Sequence, residues 1–162
     1  MARRITKKLA LVAVLLAVPW LPAVVYSHCQ IPCGIYGDPA RFDMIAENIN
    51  TIEKSMKQIV ELSAKESPDM NQIVRWVQNK EKHADDTAHI ITYYFMAQRI
   101  KPVDRTETED YHKYVKKLTL LHKMLVHCMK AKQTTDLSNV EKLRSLLAEF
   151  QTAYVDQTAH SH

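Results

Sequence analysis

The sequence predicts an all-α protein, an antiparallel up-down four-helix bundle. Two features of its composition favour helices: the 162 residues include only two glycines, and no segment alternates β-branched with polar residues. In addition, apolar residues recur in steps of three and four along four segments, which is the spacing of one buried helix face. Because the connections between these segments are short, neighbouring helices are expected to run antiparallel.

The first two helices share a start signal, an acidic residue next to a proline. The first is predicted to begin with Asp38 as N-cap and Pro39 at the first helical position, and to end near Ala64. The second is predicted to begin at residues 67–69 and to end before Pro102, as one helix of about 32 residues. The predicted core residues are Phe42, Ile45, Ile49, Ile52, Met56 and Ile59 in the first helix, and Ile73, Val77, Ala84, Ala88, Ile91 and Phe95 in the second.

The third and fourth helices are predicted in the second half of the chain. Thr106 and Glu109 have the spacing of a capping box for the third helix, and the fourth begins at about Asp136 and frays after Asp156. Cys128 lies on the predicted core face, where a free cysteine behaves as a small buried apolar residue. The predicted core residues are Tyr111, Tyr114, Leu118, Leu121, Leu125 and Cys128, then Leu137, Val140, Leu143, Leu147, Phe150 and Tyr154.

The first 27 residues have the pattern of a removable signal peptide. Four basic side chains lie within the first eight residues and an apolar run over 9–18 follows. Short residues at Val25 and Ser27 predict cleavage between Ser27 and His28, and hence an exported product, either periplasmic or secreted. The alternative is an uncleaved membrane anchor, but the apolar stretch contains two prolines and is short for a membrane span.

The chain therefore divides into a signal peptide (1–27), a hook (28–37), a four-helix bundle (38–157) and a frayed tail (158–162). The formal net charge is +4, but four of the basic side chains belong to the signal peptide, so the mature body is close to neutral. This balance gives no support to nucleic-acid binding. No membrane partner is predicted after cleavage.

The hook places one imidazole and two thiols within six residues, at His28, Cys29 and Cys33. With Cys128 the chain has three cysteines, which cannot all pair within one chain. The two thiols of the hook are therefore candidate metal ligands. The alternative is a small disulfide loop between Cys29 and Cys33, with Cys128 buried and free.

Cleavage before His28 would give the hook further donor groups. The histidine would offer its free amine and its imidazole, and Cys29 its thiolate and its deprotonated backbone amide. Pro32 and Gly34 would turn the chain so that Cys33 brings a second thiolate. Planar ligation by two nitrogens and two sulfurs favours Ni(II) or Cu(II), whereas zinc prefers a tetrahedron. The predicted fold is thus a helical bundle with an N-terminal metal-binding hook.

The hook resembles the nickel-binding segment of nickel-containing superoxide dismutases. The matching residues are His28-Cys29-x-x-Pro32-Cys33-Gly34-x-Tyr36, followed by Asp38-Pro39. A four-helix bundle of this size is the fold of that family. The segment Tyr93-Tyr94-Phe95 also resembles the family's Tyr-Phe segment, with Tyr94 matching its tyrosine.

The resemblance implies disproportionation of superoxide to O₂ and H₂O₂, with one nickel ion per subunit cycling between two and three positive charges. His28 would supply the amine nitrogen and an axial imidazole, Cys29 a thiolate and an amide nitrogen, and Cys33 the second thiolate. Tyr36 would wall the axial approach and order water that passes protons, with Tyr94 behind it. The resemblance also implies a homohexamer.

Some positions differ from the family pattern. Gln30 stands where an acidic residue is usual, and Gly37 is an extra residue before Asp-Pro. The carboxylate that holds the imidazole in the family falls on Ile45, with Glu47 as the nearest helical alternative. The basic partner of that histidine falls on His83. We expect these differences to affect the surroundings of the ligands, and hence redox tuning, rather than the ligands themselves.

A function of another class is also compatible with these residues. The protein would then be an exported helical module that binds copper or zinc without redox turnover, or one whose cysteines form only a disulfide loop. Consumption of superoxide by the cleaved, nickel-loaded protein separates the two classes.

Overall fold

The computed structural model describes residues 37–158, and all regular secondary structure in this range is helical. The elements are α1 (Asp38–Ser63), α2 (Met70–His89), a π-helical continuation of α2 that we call the π segment (Ile90–Arg99), α3 (Thr108–Gln133) and α4 (Ser138–Thr158). None of these helices has the length and apolar character needed to cross a bilayer. The all-α prediction is confirmed.

The helices pack as a bundle in which each one contacts its neighbours in sequence, and α4 also contacts α1. The start of α1 lies beside the ends of the π segment and of α4, because Asp38 accepts hydrogen bonds from Tyr94 and Tyr154. Helix α1 is therefore antiparallel to both. The antiparallel arrangement was predicted correctly from the short connections, because a chain that reverses within a few residues places the next helix beside the preceding one.

The predicted core faces of α1 and α4 are confirmed. The face that α3 buries is rotated about the helix axis relative to the predicted one. The buried residues of α1 and α4 include Phe42, Ile45, Ile49, Ile52, Met56, Val140, Leu143, Leu147, Phe150 and Tyr154. In α3 the chain buries Leu120, Leu121, Met124, Cys128 and Ala131, whereas Tyr114, Leu118 and Leu125 are only half-buried. Apolar residues flank both sides of this face, so the periodicity alone does not set its phase.

An aromatic cluster fills the end of the bundle at which α1 begins. Phe42, Phe95 and Phe150, from α1, the π segment and α4, have ring centroids 4.9 to 5.6 Å apart. Tyr154 joins them, with its ring centroid 5.7 Å from that of Phe42. All four side chains are buried. The cluster thus ties together the three helix ends around Asp38.

Both of the predicted N-caps, at Asp38 and at Thr106, are wrong. The N-cap of α1 is Gly37 and makes no side-chain cap bond, because the Asp38 side chain bonds to other helices. At the start of α3 the expected capping box is absent: the carboxylate of Asp104 accepts the backbone and hydroxyl bonds of Thr106, each 3.0 Å long. At α2 the N-cap is Asp69, within the predicted start at residues 67–69, and its Oδ1 accepts the amide of Gln72 at 3.1 Å.

The second predicted helix is not a single α-helix. From Ile90 it winds with i→i+5 hydrogen bonds, and the last of these joins the amide of Ile100 to the carbonyl of Phe95 at 2.9 Å. At the junction, the Thr92 hydroxyl donates to the carbonyl oxygens of Ala88 (2.8 Å) and His89 (3.2 Å).

A buried lysine of α2 caps the C-terminal end of α3. Lys80 is 4% exposed, and its Nζ donates to the carbonyl oxygens of Lys132 (2.7 Å) and Thr134 (3.1 Å). Lys132 belongs to the last turn of α3 and Thr134 is its C-cap residue. The carbonyls of a last turn have no intrahelical donors and carry the negative end of the helix dipole. Desolvation lowers the pKa of Lys80. The lysine therefore serves as a cap supplied by another helix.

Replacing Lys80 by methionine is expected to lower the free energy of unfolding by about 2 kcal/mol, because two carbonyl oxygens lose their donor. Urea unfolding followed by circular dichroism measures the loss. The matched control is Lys82→Met, which removes an exposed pair with Asp86 and should change stability by less than about 0.5 kcal/mol. Equal losses in the two variants would contradict the capping role.

Candidate functional site

The predicted metal ligands His28, Cys29 and Cys33, together with Tyr36, lie outside the described residues 37–158. Their ligand roles stay predictions. The donor set nevertheless suits nickel, because two thiols and an imidazole within six residues are the soft and intermediate ligands that a planar Ni(II) site takes.

The third cysteine has the properties of a core residue. Cys128 is 2% exposed, and desolvation raises the pKa of its thiol to about 12. A thiol that stays protonated at neutral pH is a poor metal ligand, because metals bind the thiolate. Across residues 37–158 no group of three or more His, Cys, Asp or Glu side chains is arranged to hold a metal ion.

Tyr94 lies in the π segment and is 8% exposed. Its hydroxyl donates to Asp38 Oδ1 at 2.7 Å. The guanidinium carbons of Arg41 and Arg99 lie 5.0 and 5.7 Å from the centre of its ring. The predicted site tyrosine is thus held by a carboxylate at its hydroxyl and flanked by two cations at its ring.

Asp38 is the centre of this arrangement, which we call the Asp38 cluster: Asp38, Tyr94, Arg99 and Tyr154. While Oδ1 accepts from Tyr94, Oδ2 accepts from Arg99 Nη2 at 2.7 Å and from the Tyr154 hydroxyl at 2.8 Å. The sequence did not reveal this role of Asp38, Arg99 and Tyr154. The three partners lie 56, 61 and 116 residues from Asp38, so no local spacing indicates them.

The protonation states within the Asp38 cluster follow from these bonds. Burial alone would raise the pKa of Asp38, but the hydrogen bonds from Arg99, Tyr94 and Tyr154 outweigh it and lower that pKa. Desolvation and the bond to Asp38 raise the pKa of Tyr94 to about 12, and the same two causes raise that of Tyr154. At neutral pH the carboxylate is therefore ionised, and both phenols are neutral donors.

The two residues expected to hold the His28 imidazole occupy different environments. Glu47 is exposed on α1, one residue before the buried Asn48. The Nδ1 atom of His83 lies 2.7 Å from Asn48 Oδ1, so this ring forms a polar contact between α1 and α2. Ile45, the position at which the family's carboxylate falls, is fully buried. The pairing of Glu47 or His83 with His28 stays a prediction.

The comparisons with known proteins agree with the fold. A family model described as nickel-containing superoxide dismutase matches residues 23–158, which include the hook as well as all four helices. No curated protein and no solved structure matches the chain. The match spans most of the sequence and implies a nickel cofactor. The chain therefore belongs to the nickel-containing superoxide dismutase family, whose enzymes are oxidoreductases that act on superoxide.

Proposed function

We propose that the nickel centre of this superoxide dismutase is formed by the mature N-terminus, after cleavage between Ser27 and His28. The observation that carries the proposal is that the family match begins at residue 23 and runs through the hook. A cut at this bond would turn His28 from an internal residue into one with a free amine. It follows that the site exists only in the processed chain.

In the proposed centre, His28 would hold nickel through its amine and imidazole, Cys29 through its thiolate and amide nitrogen, and Cys33 through its thiolate. Nickel bound there would supply one-electron redox chemistry, because it can alternate between the +2 and +3 oxidation states. Overall, two superoxide ions and two protons give one O₂ and one H₂O₂. Tyr36 orders the water from which the protons come.

The Asp38 cluster supports a site at this end of the chain for two reasons. Only four residues lie between Cys33 and Asp38, so the ligands are joined by a short segment to the residue that bonds Tyr94. Tyr94 has two guanidinium groups beside its ring, those of Arg41 and Arg99, and one carboxylate, that of Asp38, at its hydroxyl. Such a local excess of positive charge favours the approach of a small anion although the mature body is near neutral.

We also propose that the protein is exported and assembles as a homohexamer. The signal-peptide pattern supports export. Assembly is supported by the resemblance of the hook to the nickel-binding segment of the family, which implies a homohexamer.

The proposed centre predicts that activity depends on the N-terminal amine. Protein that begins at His28 and is loaded with nickel should consume superoxide rapidly. A form that retains Ser27 should not, because the backbone nitrogen of His28 is then part of a peptide bond and is not a free amine. Mass spectrometry of the exported protein gives the N-terminus, and the same measurement under native conditions gives the assembly.

Three results would contradict the proposal. Full activity of the Ser27-retaining form would exclude the amine as a ligand. A mature N-terminus other than His28 would remove the basis of the centre. A cleaved, nickel-loaded protein without redox turnover would favour the alternative, a metal-binding or disulfide-looped module. A native mass other than that of six subunits would contradict the hexamer alone.

A further inference from the structure

A single carboxylate joins three helix ends in this protein. Asp38, the first residue of α1, bonds to the π segment through Tyr94 and Arg99 and to α4 through Tyr154, at 2.7 to 2.8 Å. Its side chain is 18% exposed. An ionised carboxylate accepts hydrogen bonds and donates none, so all three partners must donate to it. The proton of the Tyr94 hydroxyl is therefore directed at Asp38.

The π winding explains how Tyr94 and Arg99 reach the same carboxylate. Five residues of an α-helix turn the chain by about 500°, so these side chains would point about 140° apart. In a π-helix, in which i→i+5 hydrogen bonds form, residue i+5 lies about one turn above residue i. The 5.7 Å between the Arg99 guanidinium carbon and the Tyr94 ring centre agrees with this stacking. The π winding thus brings Tyr94 and Arg99 towards the same side of the segment.

We propose that Asp38 is the positioning residue for Tyr94 in this enzyme: with Arg99 and Tyr154, it holds the Tyr94 hydroxyl in one orientation beside the start of α1. The inference rests on the proposed function, in which Tyr94 lies behind Tyr36. Because its proton is committed to Asp38, the Tyr94 oxygen has only lone pairs to offer to any other group. Towards a further group, the Tyr94 hydroxyl can therefore act only as an acceptor.

The test compares Asp38→Asn with Glu53→Gln. Asparagine keeps the size of the side chain but replaces one acceptor oxygen by a donor, so at least one of the three bonds is lost. The control is matched, because Glu53 also lies on α1 and accepts a bond from an arginine of α4, Arg144, but it is outside the Asp38 cluster. Both variants are prepared with the mature N-terminus, loaded with nickel and reduced.

The first measurement is ¹³C NMR of protein labelled at the ζ carbon of tyrosine, with signals assigned by Tyr94→Phe and Tyr154→Phe. The second is the superoxide rate constant from pulse radiolysis. In Asp38→Asn we expect the Tyr94 signal to move and the rate constant to fall about tenfold, the usual effect of losing a group that orients a site residue. In Glu53→Gln neither quantity should change.

The outcomes separate this inference from the proposed function. If Asp38→Asn moves the Tyr94 signal but keeps the wild-type rate constant, or lowers the rate constant without moving that signal, Asp38 is not a positioning residue and the proposed function stands. Inactive wild-type protein with a cleaved, nickel-loaded N-terminus refutes the proposed function, and this inference with it. Should Asp38→Asn fail to fold, Tyr154→Phe, which removes one bond to Oδ2, is expected to show smaller changes of the same kind, and their absence would overturn the inference.

Discussion

Cys33→Ser is expected to abolish both nickel binding and superoxide turnover while the helices stay folded. Serine is a hard oxygen donor that is not ionised at neutral pH, so it cannot replace the second thiolate of a planar nickel site. The described core that holds the helices together is built from residues between Phe42 and Tyr154. Nickel content by mass spectrometry, superoxide consumption and circular dichroism measure the three quantities.

The chain provides its own control for this variant. Cys128→Ala removes a thiol that is buried and has a pKa of about 12, so it should retain nickel and activity. It should cost only about 1 kcal/mol of stability, as the loss of one buried atom usually does. A Cys33→Ser protein that still bound nickel and turned over superoxide would contradict the ligand set. Finding Cys29 and Cys33 joined by a disulfide in the active enzyme would contradict it as well.

Phe150→Ala is expected to lower the free energy of unfolding by about 3 to 5 kcal/mol. Its ring is fully buried and lies 5.0 Å from Phe95 and 5.6 Å from Phe42, centroid to centroid, so alanine leaves a cavity among three helices. The free energy of unfolding of most domains is only about 5 to 15 kcal/mol, so this loss would remove a large part of the stability of the bundle. Urea unfolding of the bundle gives the value.

The comparison variant for Phe150→Ala is Met129→Ala, which shortens a side chain that is 51% exposed on α3. We expect a change of less than about 0.5 kcal/mol there, as for most surface substitutions. A loss below about 1 kcal/mol in Phe150→Ala would show that the aromatic cluster repacks around the missing ring, and would contradict its role in holding the helix ends together.

Much of the fold was predictable from the sequence. The four helices and the core faces of α1 and α4 follow from apolar residues in steps of three and four, and the antiparallel order follows from short connections. The errors have specific causes. Leu120 and Met124 were missed because apolar residues flank both sides of the core face of α3. Asp38 was assigned to capping because a carboxylate next to a proline usually serves the helix that it precedes.

The candidate site, too, was predictable from the sequence only in part. The ligand set at His28, Cys29 and Cys33, and Tyr94 as a site residue, were inferred from residues that are close together in sequence and match a family motif. The partners of Tyr94 were not, since Arg99 and Tyr154 reach Asp38 only after three helix ends have met. The π winding that aligns Tyr94 with Arg99 has no sequence signal comparable to a helix cap.

The sequence by itself determined the number of helices, and it predicts the position of the hook and the kind of metal that it suits. Each of these depends on the spacing of residues along the chain, which is a local property. Only the tertiary structure decided the contacts of Asp38, the cap that Lys80 supplies to α3, and the phase of the α3 core face. These depend on groups from different helices that must satisfy one another's hydrogen bonds and fill the same space, and that requirement exists only once the helices have packed together.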